Sequence, residues 1–112
     1  MTAWRGWGVV GLVVGLAGLA CQTQVSKDAH QAVASGARLV DVRTAEEYAG
    51  GHVEGAINIP VAQVASRLAE IGPPTTPVVV YCRSGARSAA AAQTLRAAGY
   101  DQVLDLGAMG NW

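Results

Sequence analysis

The sequence predicts an α/β domain organised around a parallel sheet. Short apolar strand signals alternate with segments of helical spacing, the pattern of a chain that crosses a sheet repeatedly. One run, Val78-Val79-Val80-Tyr81, is apolar without interruption, as a strand covered on both faces must be. A length of 112 residues suits one small domain.

Residues 1–21 stand apart from that domain. Arg5 supplies a positive start, and Trp7 to Ala20 is apolar or glycine throughout, ending in Leu19-Ala20-Cys21. By length and flanks this reads as a secretory signal peptide. It falls short of the roughly 20 apolar residues that span a bilayer. Gly6, Gly8, Gly11, Gly15 and Gly18 also weaken it as a permanent helix. Cys21 stands where a bacterial lipoprotein signal carries its lipid-modified cysteine. Ala20 fits that resemblance, whereas Gly18 departs from it, taking the place of the customary Leu. An ordinary export signal cleaved nearby is the alternative. Both readings place the domain in the periplasm, and the first anchors it to a membrane through the lipid.

Residues 22–36 are read as a tether and a first helix. Gln22 to Val25 is a tether or a short strand. Ser26 then caps a helix whose apolar face is Ala29, Ala32 and Val33, stopped by Gly36. The domain core is assigned to residues 37–112. Leu39-Val40-Asp41-Val42 reads as a buried strand carrying a carboxylate near its end. Thr44 caps a helical turn with Glu46, Glu47 and Tyr48, broken by Gly50-Gly51. Ala56 to Ile59 is a short strand closed by Pro60. Val61, Val64, Ala65 and Leu68 then recur as one helical face, ended by Gly72 and Pro73-Pro74. After the Val78 strand, Ser88 to Ala98 is an Ala-rich helix with Gly99 behind it. Val103 to Leu106 is the last strand.

The chemistry concentrates in Cys82-Arg83-Ser84-Gly85-Ala86-Arg87-Ser88. A thiol there follows a strand signal and precedes a helix signal. Backbone N–H groups of such a loop, with the helix's positive end, favour an anion. The cysteine should therefore be held as thiolate, its nucleophilic form. Parallel sheets bind ligands beyond the carboxyl ends of their strands. Asp41 and Arg43 lie at another such end, so both sets of residues can converge on one sheet edge. With Cys21 lipidated, Cys82 is the sole free thiol of the mature domain, unusual for an exported protein.

Composition excludes other classes. Eight Lys/Arg balance eight Asp/Glu, and no basic stripe exists, so nucleic acid is not an expected partner. His30 and His52 lie far from each other and from Cys82, giving no metal-ligand spacing. No cofactor is expected.

Four segments in order resemble a rhodanese-type sulfurtransferase domain. They are Leu39 to Arg43; Glu47-Tyr48 with Gly51 to Pro60; Val80 to Ser88; and Gly107 with Trp112. The resemblance implies a rhodanese fold, a mainly parallel five-stranded sheet with helices on both faces. It implies that Cys82 is catalytic and carries a persulfide, sulfur moving from a donor such as thiosulfate to cyanide or a thiol. Arg83, Ser84, Gly85, Ala86, Arg87 and Ser88 would then bind substrate, and Asp41 and Arg43 would support the loops. Duller roles stand beside these: Arg83 and Arg87 as solvated charges, Ser88 as a helix cap, His52 as a turn residue.

Two rival functions are weighed. A cysteine phosphatase or arsenate reductase on this fold needs one residue more between cysteine and arginine than the four found between Cys82 and Arg87. The shorter loop suits a single sulfur atom better than a tetrahedral oxyanion. The other rival is a persulfide carrier or binding module that uses the fold without turnover.

Overall fold

The computed structural model describes residues 23–112. The signal and Cys21 expectations lie outside these residues. Within them, no helix is long and apolar enough to cross a membrane.

The first described element, α1, is helical over 23–34. Ser26 thus lies inside the helix and does not cap it, and the segment from residue 23 is neither tether nor strand. Its hydroxyl instead donates to the Trp112 carbonyl at 2.9 Å. A bond from the Gln24 amide to Asp28, one turn on, supports the helix near its start. Ala29 is fully buried, and Val25, Ala32 and Val33 pack around it against the sheet.

Four strands follow: β1 (Arg38–Asp41), β2 (Ile57–Asn58), β3 (Val78–Cys82) and β4 (Val103–Ala108). They form one parallel sheet in the order β2-β1-β3-β4. The sheet therefore has four strands among the described residues, not the five implied by resemblance. Residues 23–25, which the sequence offers as a tether or short strand, belong to α1. β3 is buried along its whole length, as its uninterrupted apolar run requires.

Helices cover both faces. Val40, Val78 and Val80 point to the layer built by α3 (Ala86–Ala97) through Ala91, Ala92 and Leu95. Leu39, Val79 and Tyr81 point to the other layer, where α1 and Tyr48 of α2 (Ala45–Ala49) pack. Alternate residues of a strand face opposite ways, so β1, β3 and β4 each serve both cores.

The segment after Pro60 is not an α-helix. It forms two 3-10 stretches, Val61–Ser66 and Leu68–Glu70, interrupted at Arg67 with φ −122°. Three residues per turn bring Val61 and Val64 to the core and turn Ala65 outward. Arg67 holds the break, pairing with Glu70 at 2.7 Å and bonding to Gln63 at 2.8 Å.

Chain order sets the position of the site. From β1 the chain moves to β2 on one side, then returns to β3 on the other. The β1/β3 boundary is thus a topological switch point, where crevices open at the carboxyl ends of strands. Asp41 and Tyr81 are in register there. Cys82 is the next residue.

Candidate active site

Cys82 closes β3 and is 1% exposed. It is the free cysteine of the described residues. The chain leaves it through Arg83 and Ser84, both exposed, and enters α3 at Ala86. Gly85 makes the turn with a φ of 113° and occupies the cap position of α3. The loop places the Gly85 N–H 2.9 Å from the Cys82 sulfur. Such a left-handed turn favours glycine because it has no Cβ.

Burial pushes the Cys82 thiol up, yet its pKa is lowered overall. The Ser88 hydroxyl lowers it, and so do the backbone N–H groups of Ser88, Gly85 and Ser84. Each donates to negative sulfur better than to a neutral thiol. The start of α3 adds its dipole. The cradle thus holds a thiolate at neutral pH more readily than a free cysteine would.

Ser88 lies within the first turn of α3 and does not cap it. Its hydroxyl donates to the Gly85 carbonyl at 3.0 Å and also faces Cys82. One proton has two acceptors, and charge on sulfur favours the second. Ala86 opens α3 and brings no polar side chain to the loop.

The two arginines differ. Arg83 is exposed and forms no ion pair among the described residues. Arg87 is not a free cation. Its guanidinium meets the Glu47 carboxylate at two points, 2.7 and 3.0 Å. Hydrogen bonding to Glu47 raises the Arg87 pKa, and the charges of Glu47 and Cys82 add to it. Reciprocally, Arg87 holds the Glu47 carboxyl down at about 2.

Asp41 and Arg43 form a buried pair at 2.6 Å, in which Asp41 is fully covered. The Arg43 Nη2 also donates to the Gly51 carbonyl at 2.7 Å. Its guanidinium carbon lies 5.7 Å from the centre of the Tyr81 ring. The Tyr81 hydroxyl accepts from the Val53 N–H at 3.0 Å, and burial pushes its pKa up to about 12. Together these contacts pin the 51–53 turn beside the carboxyl end of β1. They bring no Asp41 or Arg43 atom to the sulfur.

His52 donates from Nδ1 to the Tyr48 carbonyl at 2.8 Å and stacks on the Tyr48 ring, centroids 3.7 Å apart. That holds it in the turn. His30 stacks on Trp112 at 3.7 Å, far along the sequence from the loop.

Sequence reasoning missed Glu47 as a neighbour of this loop. Its spacing from Thr44 marks a capping box, which the structure contains. Nothing local, however, announces a partner 40 residues on.

Comparison with known proteins adds the family. The model of the rhodanese-like domain matches residues 24–112. A sulfurtransferase of Allochromatium vinosum is 46% identical over 68 residues, which are 61% of this chain and 63% of that protein. The thiosulfate sulfurtransferase PspE of Escherichia coli is 41% identical over 71 residues, covering 62% and 68% of the two chains. The human single-domain sulfurtransferase TSTD1 superposes with a TM-score of 0.67 at 32% identity, over 77% of this chain and 87% of that one. An uncharacterised Bacillus subtilis relative, YqhL, is matched over 55% of its length, so the chain spans well under the full length of several curated relatives.

Proposed function

This chain belongs to the rhodanese-like domain family, and from that premise we propose that it transfers sulfane sulfur through a persulfide on Cys82. The observation that carries the reading is a recessed sulfur in a cradle of N–H groups that favours its thiolate, with 1% of the residue exposed. A buried sulfur nucleophile is reached most easily by a donor whose reacting atom is terminal and slim. Thiosulfate has such an atom.

In the first step the Cys82 thiolate attacks the outer sulfur of the donor. A Cys82 sulfur–sulfur bond forms, the donor's sulfur–sulfur bond breaks, and sulfite leaves with the electron pair. In the second step cyanide or a thiolate attacks the terminal sulfur and regenerates the Cys82 thiolate. The persulfide is anionic, so the donors that lower the thiol pKa stabilise it as well. A persulfide also extends the transferable sulfur by about 2 Å toward the mouth of the loop.

A persulfide carrier that hands sulfur to a partner protein is the second reading. The Glu47 clamp favours it, because it withdraws Arg87 from a dianionic donor such as thiosulfate. The same clamp weighs against a phosphatase or arsenate reductase, which needs that guanidinium free for an oxyanion. Thiocyanate formation from thiosulfate and cyanide, compared between wild type and Cys82→Ser, tests the enzyme reading. A stable persulfide with slow cyanide turnover would favour the carrier.

The sequence of residues 1–21 supports export to the periplasm with Cys21 as the lipid-bearing residue. Mass spectrometry of the N-terminus in the native host tests this. An unmodified start elsewhere than Cys21 removes the lipoprotein.

A further inference from the structure

Glu47 is fixed from two sides. Its Oε1 accepts from the Thr44 N–H at 3.0 Å and from the Thr44 hydroxyl at 3.1 Å, which closes the capping box of α2. Both of its oxygens also accept from Arg87, in the first turn of α3. A two-point contact of this kind sets the guanidinium plane as well as its position. The carboxylate is therefore a fixed part of the rim, joined through Arg87 to the Cys82 cradle. Only Arg83 remains there as an unpaired cation among the described residues.

The formal charges on this rim cancel when Cys82 is ionised: Glu47 and Cys82 against Arg83 and Arg87. An approaching dianion meets one cation already neutralised, and the fixed carboxylate repels each of its charges. A monoanion meets half that repulsion. Charge on the donor therefore governs how well it reaches the recessed sulfur.

Resting on the reading of Cys82 as the sulfur-transferring residue, we propose that Glu47, by holding Arg87, determines specificity in favour of singly charged sulfane-sulfur donors over dianionic thiosulfate. Thiosulfonates and alkyl persulfides are the classes concerned. Glu47 touches no reacting atom and acts through Arg87 and through its own charge. With a thiosulfonate the step balances without a proton or redox partner. The Cys82 thiolate bonds to the terminal sulfur, the donor's sulfur–sulfur bond breaks, and a sulfinate leaves with the electron pair.

The test compares kcat/KM for thiosulfate and for methanethiosulfonate in the full chain at low ionic strength. Glu47→Gln removes the charge, while Gln at this position still closes a capping box. The expected result is a rise of about fivefold in the thiosulfate-to-methanethiosulfonate ratio, shrinking as salt is added. Arg87→Met leaves the carboxylate uncompensated and should lower the same ratio. Thr44→Ala breaks the capping box at constant charge and should leave the ratio in place. A ratio that ignores Glu47→Gln and Arg87→Met, or that Thr44→Ala moves equally, overturns the proposal. Transfer from neither donor in the wild type, or transfer persisting in Cys82→Ser, overturns the sulfur-transfer reading and this proposal with it.

Discussion

The Gly85 N–H reaches the Cys82 sulfur at 2.9 Å, and Gly85 then turns the chain into α3 with a φ of 113°. A Cβ at this position would find room, its nearest neighbour being the Gly107 Cα at 4.0 Å. The obstacle to any other residue is therefore conformational, at about 1–2 kcal/mol. Gly85→Ala should destabilise by that amount in chemical denaturation. If the backbone relaxes to relieve the strain, the N–H turns away and the thiol pKa rises. An unstrained Gly85→Ala with unchanged thiol reactivity would contradict this view of the turn.

Ser88→Ala removes the side-chain donor that lowers the Cys82 pKa. Less stabilisation of the thiolate means a higher pKa. The pH midpoint for alkylation of Cys82 by iodoacetamide should move to higher pH. The stability cost should stay at about 1–2 kcal/mol, since the lost partner is one carbonyl hydrogen bond. A midpoint that stays in place would remove the hydroxyl from the cradle.

The Glu47–Arg87 pair makes a distinct prediction about acid stability. The Glu47 carboxyl falls from an ordinary 4.5 to about 2 when folded. Below pH 4.5 the unfolded chain takes up a proton that the folded chain refuses, so acid favours unfolding. The pair's contribution is complete above pH 4.5 and fades as pH falls toward 2. Thermal unfolding across this range should show Glu47→Gln losing less stability than wild type. Parallel curves would mean the pair is not held in solution.

Asp41 is fully buried against Arg43, and removing one partner of such a pair strands the other's charge. Asp41→Ala should cost about 3–5 kcal/mol in equilibrium unfolding. A loss under about 1 kcal/mol would mean water reaches Arg43 and the pair does not anchor the turn at Gly51.

The parts of this molecule that were legible in sequence are those with local signals. Val78 to Tyr81 reads as a strand because it is apolar throughout, and Cys82 reads as reactive because strand, loop and helix signals adjoin it. The segment at Val61 misleads because a spacing of three residues fits an α-helix and a 3-10 helix alike. The outward turn of Ala65 and the break at Arg67 separate them. Ser26 misleads differently: serine favours caps, but nothing in its neighbours reveals a helix already begun at residue 23. Arg87 shows the limit most clearly. Its place in the loop is readable, whereas its occupation by Glu47 depends on how α2 and α3 meet.

The central claim is that Cys82 carries the sulfur. Intact-protein mass spectrometry after brief exposure to thiosulfate, and separately to methanethiosulfonate, tests it most directly, read beside Cys82→Ser. A gain of one sulfur atom that maps to Cys82, is removed by cyanide and is absent from Cys82→Ser is the predicted result. A wild type left unmodified by both donors, or the same gain in Cys82→Ser, would contradict it.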